Sequence, residues 1–359
     1  MPLSFMKTKK IVALDIGSFG LKLIELKPKK KGKEISYELL SMAYEPVPYQ
    51  SIVEGSIMDS TAVADAIQHV FLESKTKTNS VSFGVSGSSV IVKRIDVQRL
   101  NPNEMHEHIL WEARPHIPFT PEEVNIDYEI IESQDTPPDK VGVILAAVKK
   151  EKLNDYLNII AISNKHAAIV DLDSFAVLNS VLSNYEMYRE RSLAIINIGA
   201  SITNVVIARG GYPVFVRDIA FGGNHFTDHI QKELNLKYEK AESVKKGRQV
   251  EGVSPAAVKQ VVNLIFNELK NEIKKTFEFY RSNTNEGRID NILLSGGTAK
   301  LESIIDYFSQ EFDIPIEIIN PFNEIEINPK KFDLDFLKDM APIFNVVMGL
   351  ALRAVGDAK

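Results

Sequence analysis

Ile11-Val-Ala-Leu-Asp-Ile-Gly-Ser-Phe-Gly-Leu-Lys-Leu-Ile-Glu-Leu26 decides how the rest of the chain is read: an apolar run ends in an aspartate, turns on glycine and serine, and resumes with one lysine. Ile11 to Leu14 and Leu21 to Leu26 read as adjacent strands of a hairpin, with Gly17 to Gly20 between them. Such a turn offers backbone N–H groups without a side-chain barrier, which suits phosphate oxygens. Asp15, at the end of the first strand, can hold a divalent cation, usually through water, because Mg²⁺ prefers hard oxygen ligands and dehydrates reluctantly. Lys22 on the returning strand can reach the same phosphates. One hairpin of this kind is common and decides nothing alone.

A second copy does. Leu193-Ala-Ile-Ile-Asn-Ile-Gly-Ala-Ser-Ile-Thr-Asn-Val-Val-Ile-Ala208 repeats the layout, with Asn197 in the place of Asp15 and Ile198-Gly199 matching Ile16-Gly17. The offset of 182 residues is too long for a solenoid and suits a duplicated domain. Two like domains face each other across a cleft, and a cleft lined by two phosphate-type turns suits a nucleotide.

Composition narrows the classes. With 44% hydrophobic and 25% charged residues in 359, the chain is an ordinary globular protein with room for at least two domains. A net charge of −6 argues against nucleic acid as main partner, since that binding needs a basic face. The runs Lys7 to Lys10 and Lys27 to Lys33 read as solvated turns. Without cysteine there are no disulfides, no thiol catalysis and no thiolate zinc sites. No apolar stretch is expected to approach the ~18 residues that cross a bilayer, and Met1 to Lys10 lacks a signal-peptide core. The expectation is a cytoplasmic protein with no direct membrane insertion.

The order after the first hairpin is a strand over Ile35 to Ala43, a helix capped by Asp59 or Ser60, and a strand over Val81 to Val85. This β-β-β-α-β order is that of a ribonuclease-H-like α/β domain. Ile91 to Ser163 breaks the pattern with its own β-α-β-β-α module, including the polar loop Ser133 to Lys140. The expected division is therefore 1–90 with 165–190 as a first domain, 91–164 as an inserted α+β subdomain, and 191–359 as a second domain whose last helix can return to the first. In the second domain Gly222-Gly223 precedes a helix, Pro255 opens a long one, and Asn291-Ile-Leu-Leu-Ser-Gly-Gly-Thr-Ala-Lys-Leu301 runs a buried strand into a glycine pair. That arrangement lets a planar ring approach the backbone. Asn345 and Gly349 on the closing helix are placed toward the cleft.

These residues, in this order, resemble the actin-like ATPase superfamily: Asp15-Ile-Gly-Ser its first phosphate loop, Asn197-Ile-Gly-Ala-Ser its second, Gly296-Gly-Thr its adenosine loop. The fold implied is a duplicated ribonuclease-H-like architecture around a nucleotide cleft. Trp111-Glu-Ala-Arg-Pro-His-Ile-Pro-Phe119, Val124-Asn-Ile-Asp-Tyr128 and Arg217-Asp-Ile-Ala-Phe-Gly-Gly223 with Thr227 resemble the type IV pilus assembly family PilM, whose insert occupies this place. The resemblance implies ATP and Mg²⁺ as ligands. Asp15 would hold the Mg²⁺ shell, and Gly17, Ser18 and Lys22 the β- and γ-phosphates. Gly199, Ser201 and Thr203 would grip from the other side, beside Asn197 and the Gly222-Gly223 pair. Glu242 and Lys245 would meet ribose and base, and Gly296, Gly297 and Thr298 would close over the adenosine. It also implies a partner, the cytoplasmic N-terminal peptide of a PilN-like inner-membrane protein held in a groove beside the insert, and self-association into a ring; the reading that leads is a nucleotide-binding scaffold whose bound ATP sets the shape of the cleft and hence of that groove.

Relatives carry aspartate at Asn197, so slow or absent ATP hydrolysis is expected. Two alternatives stand beside this reading. One is a sugar-kinase-type phosphotransferase with Asp171 or Asp173 as base; the other is an FtsA-like filament protein. His225 and His229, four apart, could share a metal but have no third ligand in view, so a packing or surface role is expected. Trp111 and Phe119 are read as core.

Overall fold

The computed structural model describes residues 10–31, 34–131, 136–284 and 287–357. In chain order come β1 (Val12–Ile16), β2 (Gly20–Lys31), β3 (Glu34–Pro46), the short pair β4 (Ile52–Val53) and β5 (Ser56–Ile57), α1 (Ser60–Ser74), β6 (Ser80–Val85) and β7 (Val90–Gln98). Next are α2 (Pro102–Ala113), β8 (Val124–Ile131), β9 (Lys140–Lys149), α3 (Lys150–Ile162), β10 (His166–Leu172), α4 (Asp173–Asn184), β11 (Leu193–Ile198), β12 (Thr203–Arg209) and β13 (Tyr212–Ile219). The chain ends with α5 (Gly223–Leu234), α6 (Tyr238–Lys245), α7 (Pro255–Ser282), β14 (Asn291–Ser295), α8 (Ile304–Ser309), β15 (Ile316–Ile318), β16 (Ile325–Glu326), α9 (Leu334–Met340) and α10 (Asn345–Asp357).

The duplication seen in the two motifs is a duplication of topology. One sheet has the order β10-β6-β1-β2-β3-β16 and the other β15-β14-β11-β12-β13. In each, the motif strand is antiparallel to the strand after it and parallel to the strand on its other side. Asp15 pairs across its hairpin with Lys22, and Asn197 with Asn204. Every residue of β1, β11 and β14 is buried, as expected for central strands covered on both faces.

Local chemistry fixes the helix ends. Asp59 Oδ1 accepts the Ala62 N–H at 2.9 Å and so caps α1. Ser254 caps α7, with Pro255 in its first turn. Between the two sheets lie α4 and α10, and α10 is apolar on nearly all sides: Val346, Val347, Met348, Leu350, Ala351, Leu352 and Ala354 are all buried. Their cluster joins Ala13 and Ile24 of the first sheet to Ile195 and Val206 of the second.

Several expectations need correction. The run Leu334–Gly356 is, by length and composition, apolar enough to cross a bilayer, contrary to the sequence reading; 67% of its most apolar 18-residue window is buried inside the protein, where both sheets cover it. Gly349 faces α4 rather than the cleft: a Cβ there would strike the Ala176 carbonyl oxygen. After Ile319, whose N–H still donates to the Leu294 carbonyl, the chain crosses to the first sheet, with β16 pairing parallel to β3. Lys27 to Lys31 is not a turn. It continues β2 opposite β3, where Lys29 pairs with Glu38 at 3.4 Å and with Glu326, opposite charges stabilising the edge ribbon. Residues 1–9, Gly32-Lys33 and residues 132–135 of the polar loop lie outside the described residues.

The insert is the antiparallel sheet β7-β9-β8 with α2 on one face, where Met105, Ile109 and Ala113 pack against Val141, Val143 and Leu145. Its expected second helix belongs elsewhere: α3 turns Tyr156, Ile159 and Ile160 into the core of the first domain beside α1. The sheet's other face, with Val90, Val92, Ala146 and Val148, packs against that same core, so no second helix is needed there. Phe119 packs on the insert core, with Lys149 4.5 Å over its ring. Trp111, read as core, is 62% exposed, because α2 buries a narrow face at 105, 109 and 113.

Candidate nucleotide site

The first turn, between β1 and β2, places Asp15 Oδ2 3.1 Å from Lys22 Nζ. The pairing follows from register, since the two residues face each other across the hairpin. It puts an anion and a cation side by side, each able to turn to an opposite charge. Gly17 lies directly over this pair; a Cβ there would come within 2.8 Å of Lys22 Nζ. Ser18 is half-buried at the tip. Gly20 fits under the Tyr44 ring, 2.7 Å from where its Cβ would be.

Three segments of the second domain converge on Gly199. Its carbonyl oxygen accepts the Gly223 N–H at 2.9 Å and the Thr298 hydroxyl at 3.0 Å, and its N–H donates to the Ile202 carbonyl at 2.9 Å. None of these approaches tolerates a side chain. A Cβ on Gly222 would sit 2.6 Å from the Gly199 oxygen, and one on Gly296, which has φ +88°, would strike the Ile198 oxygen. Gly297 is exposed and open. The second turn, the Gly222-Gly223 pair and the adenosine-type loop thus form one surface.

Beneath it, Lys245 Nζ donates to the Gly223 carbonyl at 3.2 Å, to Thr227 Oγ1 at 2.8 Å and to Glu242. Burial pushes the Glu242 carboxyl up, but Lys245 beside it, with Thr227 and Lys246, holds it below its usual range. The site therefore keeps a fixed ion pair beneath the glycine cluster. Next to Lys245 opens a cavity of about 660 Å³ lined by Arg248, Val258, Phe266, Glu302 and Tyr307 among others. Its apolar walls and polar rim suit a planar base.

The two turns face one another's domains. Phe19 of the first turn lies 4.7 Å below Lys246 Nζ. Ile202 of the second is what a Cβ on Gly55 or Gly87 of the first domain would meet, at 3.2 and 3.1 Å. At the rim, Tyr49 and Tyr238 have ring centroids 3.9 Å apart, and the Tyr49 hydroxyl donates to Asp228 at 3.1 Å.

Not every expected residue points into the cleft. Thr203 donates its hydroxyl to the Phe221 carbonyl at 2.7 Å and is fully buried, so it braces the turn. Ser201 Oγ accepts from Asn224 Nδ2 at 3.1 Å. Asn197 donates to Asn204 Oδ1 and accepts from Ser295, each at 2.9 Å, so both ends of its amide are used. His225 stacks on Phe221 at 4.2 Å and accepts the Gly222 N–H at 3.2 Å, while His229 Nδ1 meets the His225 carbonyl at 2.8 Å: both serve packing. Among the described residues no group of three or more His, Cys, Asp or Glu could hold a metal by itself.

The two aspartates weighed as bases differ. Asp171 Oδ1 is paired with Arg353 at 2.9 Å. Asp173, at the start of α4, is pushed up to about 7, by burial first and then by Asp15 nearby. Lys152, in the first turn of α3, is buried, donates to the Gly55 carbonyl, and feels Asp173 and Asp218. Neither Lys152 nor Asp218 stands out in sequence, since nothing in their local pattern reveals that α3 and β13 meet the cleft.

The family model for the type IV pilus assembly protein PilM matches residues 13–355. Among solved structures, the "PilM-PilN type IV pilus biogenesis complex" is 28% identical with a TM-score of 0.84, covering 96% of this chain and 98% of that one. MreB5 of Spiroplasma citri bound to ADP is 16% identical with a TM-score of 0.55 over 98% of both chains. The MamK double helical filament is 14% identical with a TM-score of 0.52, covering 96% of this chain and 98% of the other. The last two show the actin-like fold.

Proposed function

The chain belongs to the type IV pilus assembly protein PilM family, and from that premise we propose that it is an ATP-binding scaffold on the cytoplasmic side of the inner-membrane pilus complex. Beside its insert it holds the N-terminal cytoplasmic peptide of a PilN-type membrane protein. Partner capture rests on the likeness to the PilM-PilN complex over almost the whole chain.

The observation that carries nucleotide binding is the meeting of Gly222, Gly223 and Thr298 on Gly199, with Gly296 packed on Ile198 beside them, together with the Asp15–Lys22 pair in the matching turn of the first domain. Glycines at which a Cβ would collide form a cradle whose N–H groups can approach phosphate oxygens. Asp15 is the carboxylate that would hold Mg²⁺ through its water shell, and the ion would supply positive charge to the phosphates. Lys22, freed from Asp15, would take a phosphate oxygen. Glu242 would accept from ribose hydroxyls, and the cavity beyond Lys245 would take the base.

Turnover is slow in this reading. The Asn197 amide is committed to Asn204 and Ser295 and cannot carry negative charge, so it neither binds metal strongly nor takes a proton. Calorimetric titration with ATP and Mg²⁺, and separately with a synthetic PilN-type N-terminal peptide, tests the proposal. Binding of both, with single-turnover hydrolysis well below ~1 s⁻¹, is the expected result. Failure to bind either ligand overturns it.

A further inference from the structure

Asn197 and Asn204 belong to a continuous series of hydrogen bonds. Asn345 Nδ2 donates to Ser295 Oγ at 3.4 Å, and Ser295 Oγ to Asn197 Oδ1 at 2.9 Å. Asn197 Nδ2 donates to Asn204 Oδ1 at 2.9 Å, and Asn204 Nδ2 to Asp218 Oδ1 at 2.8 Å. The second oxygen of Asp218 accepts the backbone N–H of Gly87 at 2.6 Å. Each member donates to the next, and the anion at the end receives two donors. Amides at 197 and 204 are what make this possible. A carboxylate at either place could not donate and would face an acceptor.

The last bond crosses between domains, and it falls at a particular place. Gly87 lies in the link between β6 and β7, where the chain enters the insert. The chain leaves the insert at Lys149, whose N–H donates to the Ser89 carbonyl at 3.0 Å, so both crossings form one root. β13, which carries Asp218, runs beside β7. Ile202, in the turn that begins at Gly199, is the side chain nearest to Gly87 and lies beside Gly55 as well, whose carbonyl holds Lys152 of α3. The second domain therefore touches the root of the insert twice, through Ile202 of its turn by contact and through Asn204 of β12 and Asp218 of β13 by hydrogen bonds.

We infer that the series from Asn197 through Asn204 and Asp218 to the Gly87 N–H carries nucleotide occupancy of the cleft to the root of the insert, and so sets partner affinity in the groove beside it. Asparagine at 197 is then a requirement of that link and not merely a lost carboxylate. The inference rests on the proposed nucleotide and partner binding, and adds the residues through which one acts on the other. Packed side chains and hydrogen bonds between rigid elements transmit coupling of this kind.

The test compares the full-length wild type with Asp218→Asn and Asn204→Asp. Asp218→Asn is nearly isosteric and turns one acceptor into a donor facing a donor; Asn204→Asp sets a carboxylate against Asp218. The probe is a fluorescent PilN-type N-terminal peptide, titrated with and without ATP and Mg²⁺, alongside direct nucleotide titration and hydrogen exchange across Gly84 to Val92. Wild type should show a peptide Kd ratio of about 5-fold or more between the two conditions, and both variants a ratio near 1. Asp218→Asn should keep nucleotide Kd within ~2-fold while the Gly87 amide loses protection. Variants that keep the wild-type ratio overturn the inference. So does a wild type that binds both ligands independently, an outcome that leaves the proposed function standing. A wild type that binds no nucleotide removes the proposed function, and this inference with it.

Discussion

Gly349 of α10 lies so close to the carbonyl oxygen of Ala176 in α4 that no methyl group fits between them. The contact joins the two helices held between the sheets, and both backbones are fixed by cores on either side. Gly349→Ala should therefore cost at least ~3 kcal/mol, the upper end for overpacking, because neither helix can retreat. Chemical denaturation of the two proteins measures it; a loss below ~1 kcal/mol would mean that the helices separate easily.

Gly296 adopts a φ of +88° with the Ile198 carbonyl directly behind it. Gly296→Ala should displace the adenosine-type loop from Gly199 and weaken ATP at least ~10-fold, a loss of about 1.4 kcal/mol. Calorimetry reads the affinity. Peptide affinity without nucleotide should be unchanged, which separates a local effect from unfolding.

Asn197→Asp tests the limit on turnover. It restores negative charge at the end of β11 but removes the donor to Asn204 Oδ1, leaving two acceptors opposed. We expect ATP turnover to rise at least ~10-fold while stability falls by ~1–3 kcal/mol, read by single-turnover assay and thermal melting. Unchanged turnover would show that this side chain does not limit the chemistry.

Asp173 gives a pH dependence of defined sign. Its carboxyl is raised from 3.8 to about 7, by burial first and then by Asp15. Between those values the folded protein holds a proton that the unfolded chain has lost. The stabilisation is complete below the unfolded pKa and is lost as pH rises through about 7. Asp173→Asn, which cannot ionise, should melt higher than wild type at pH 8, with the difference shrinking toward pH 4. Parallel melting curves at every pH would refute it.

Trp111 is 62% exposed on the insert. Trp111→Ala should change stability by no more than ~0.5 kcal/mol. As an exposed aromatic of the insert it should anchor the peptide, so the variant should bind it ~5-fold or more weakly. Equal affinity would place the peptide elsewhere.

Much of this was readable from local pattern. The two hairpins and their glycine turns follow from apolar periodicity and turn chemistry, which depend on near neighbours in sequence. So do the cap at Asp59 and the start of α7 at Pro255. The duplication fixed the two-domain α/β fold because only matching strand orders give matching motifs. What the sequence left open is set by contacts between distant segments. Leu334 to Gly356 carries the composition of a membrane span, and only two sheets closing on it make it a core. Tyr156 and Ile160 mark an apolar face on α3 without saying which sheet receives it. Asp173 is an ordinary aspartate until α4 is buried beside Asp15, and Asn197 is a missing carboxylate until Asn204, Asp218 and Ser295 surround it. Burial and hydrogen-bond partners belong to the assembled molecule, and they decided what these side chains can do.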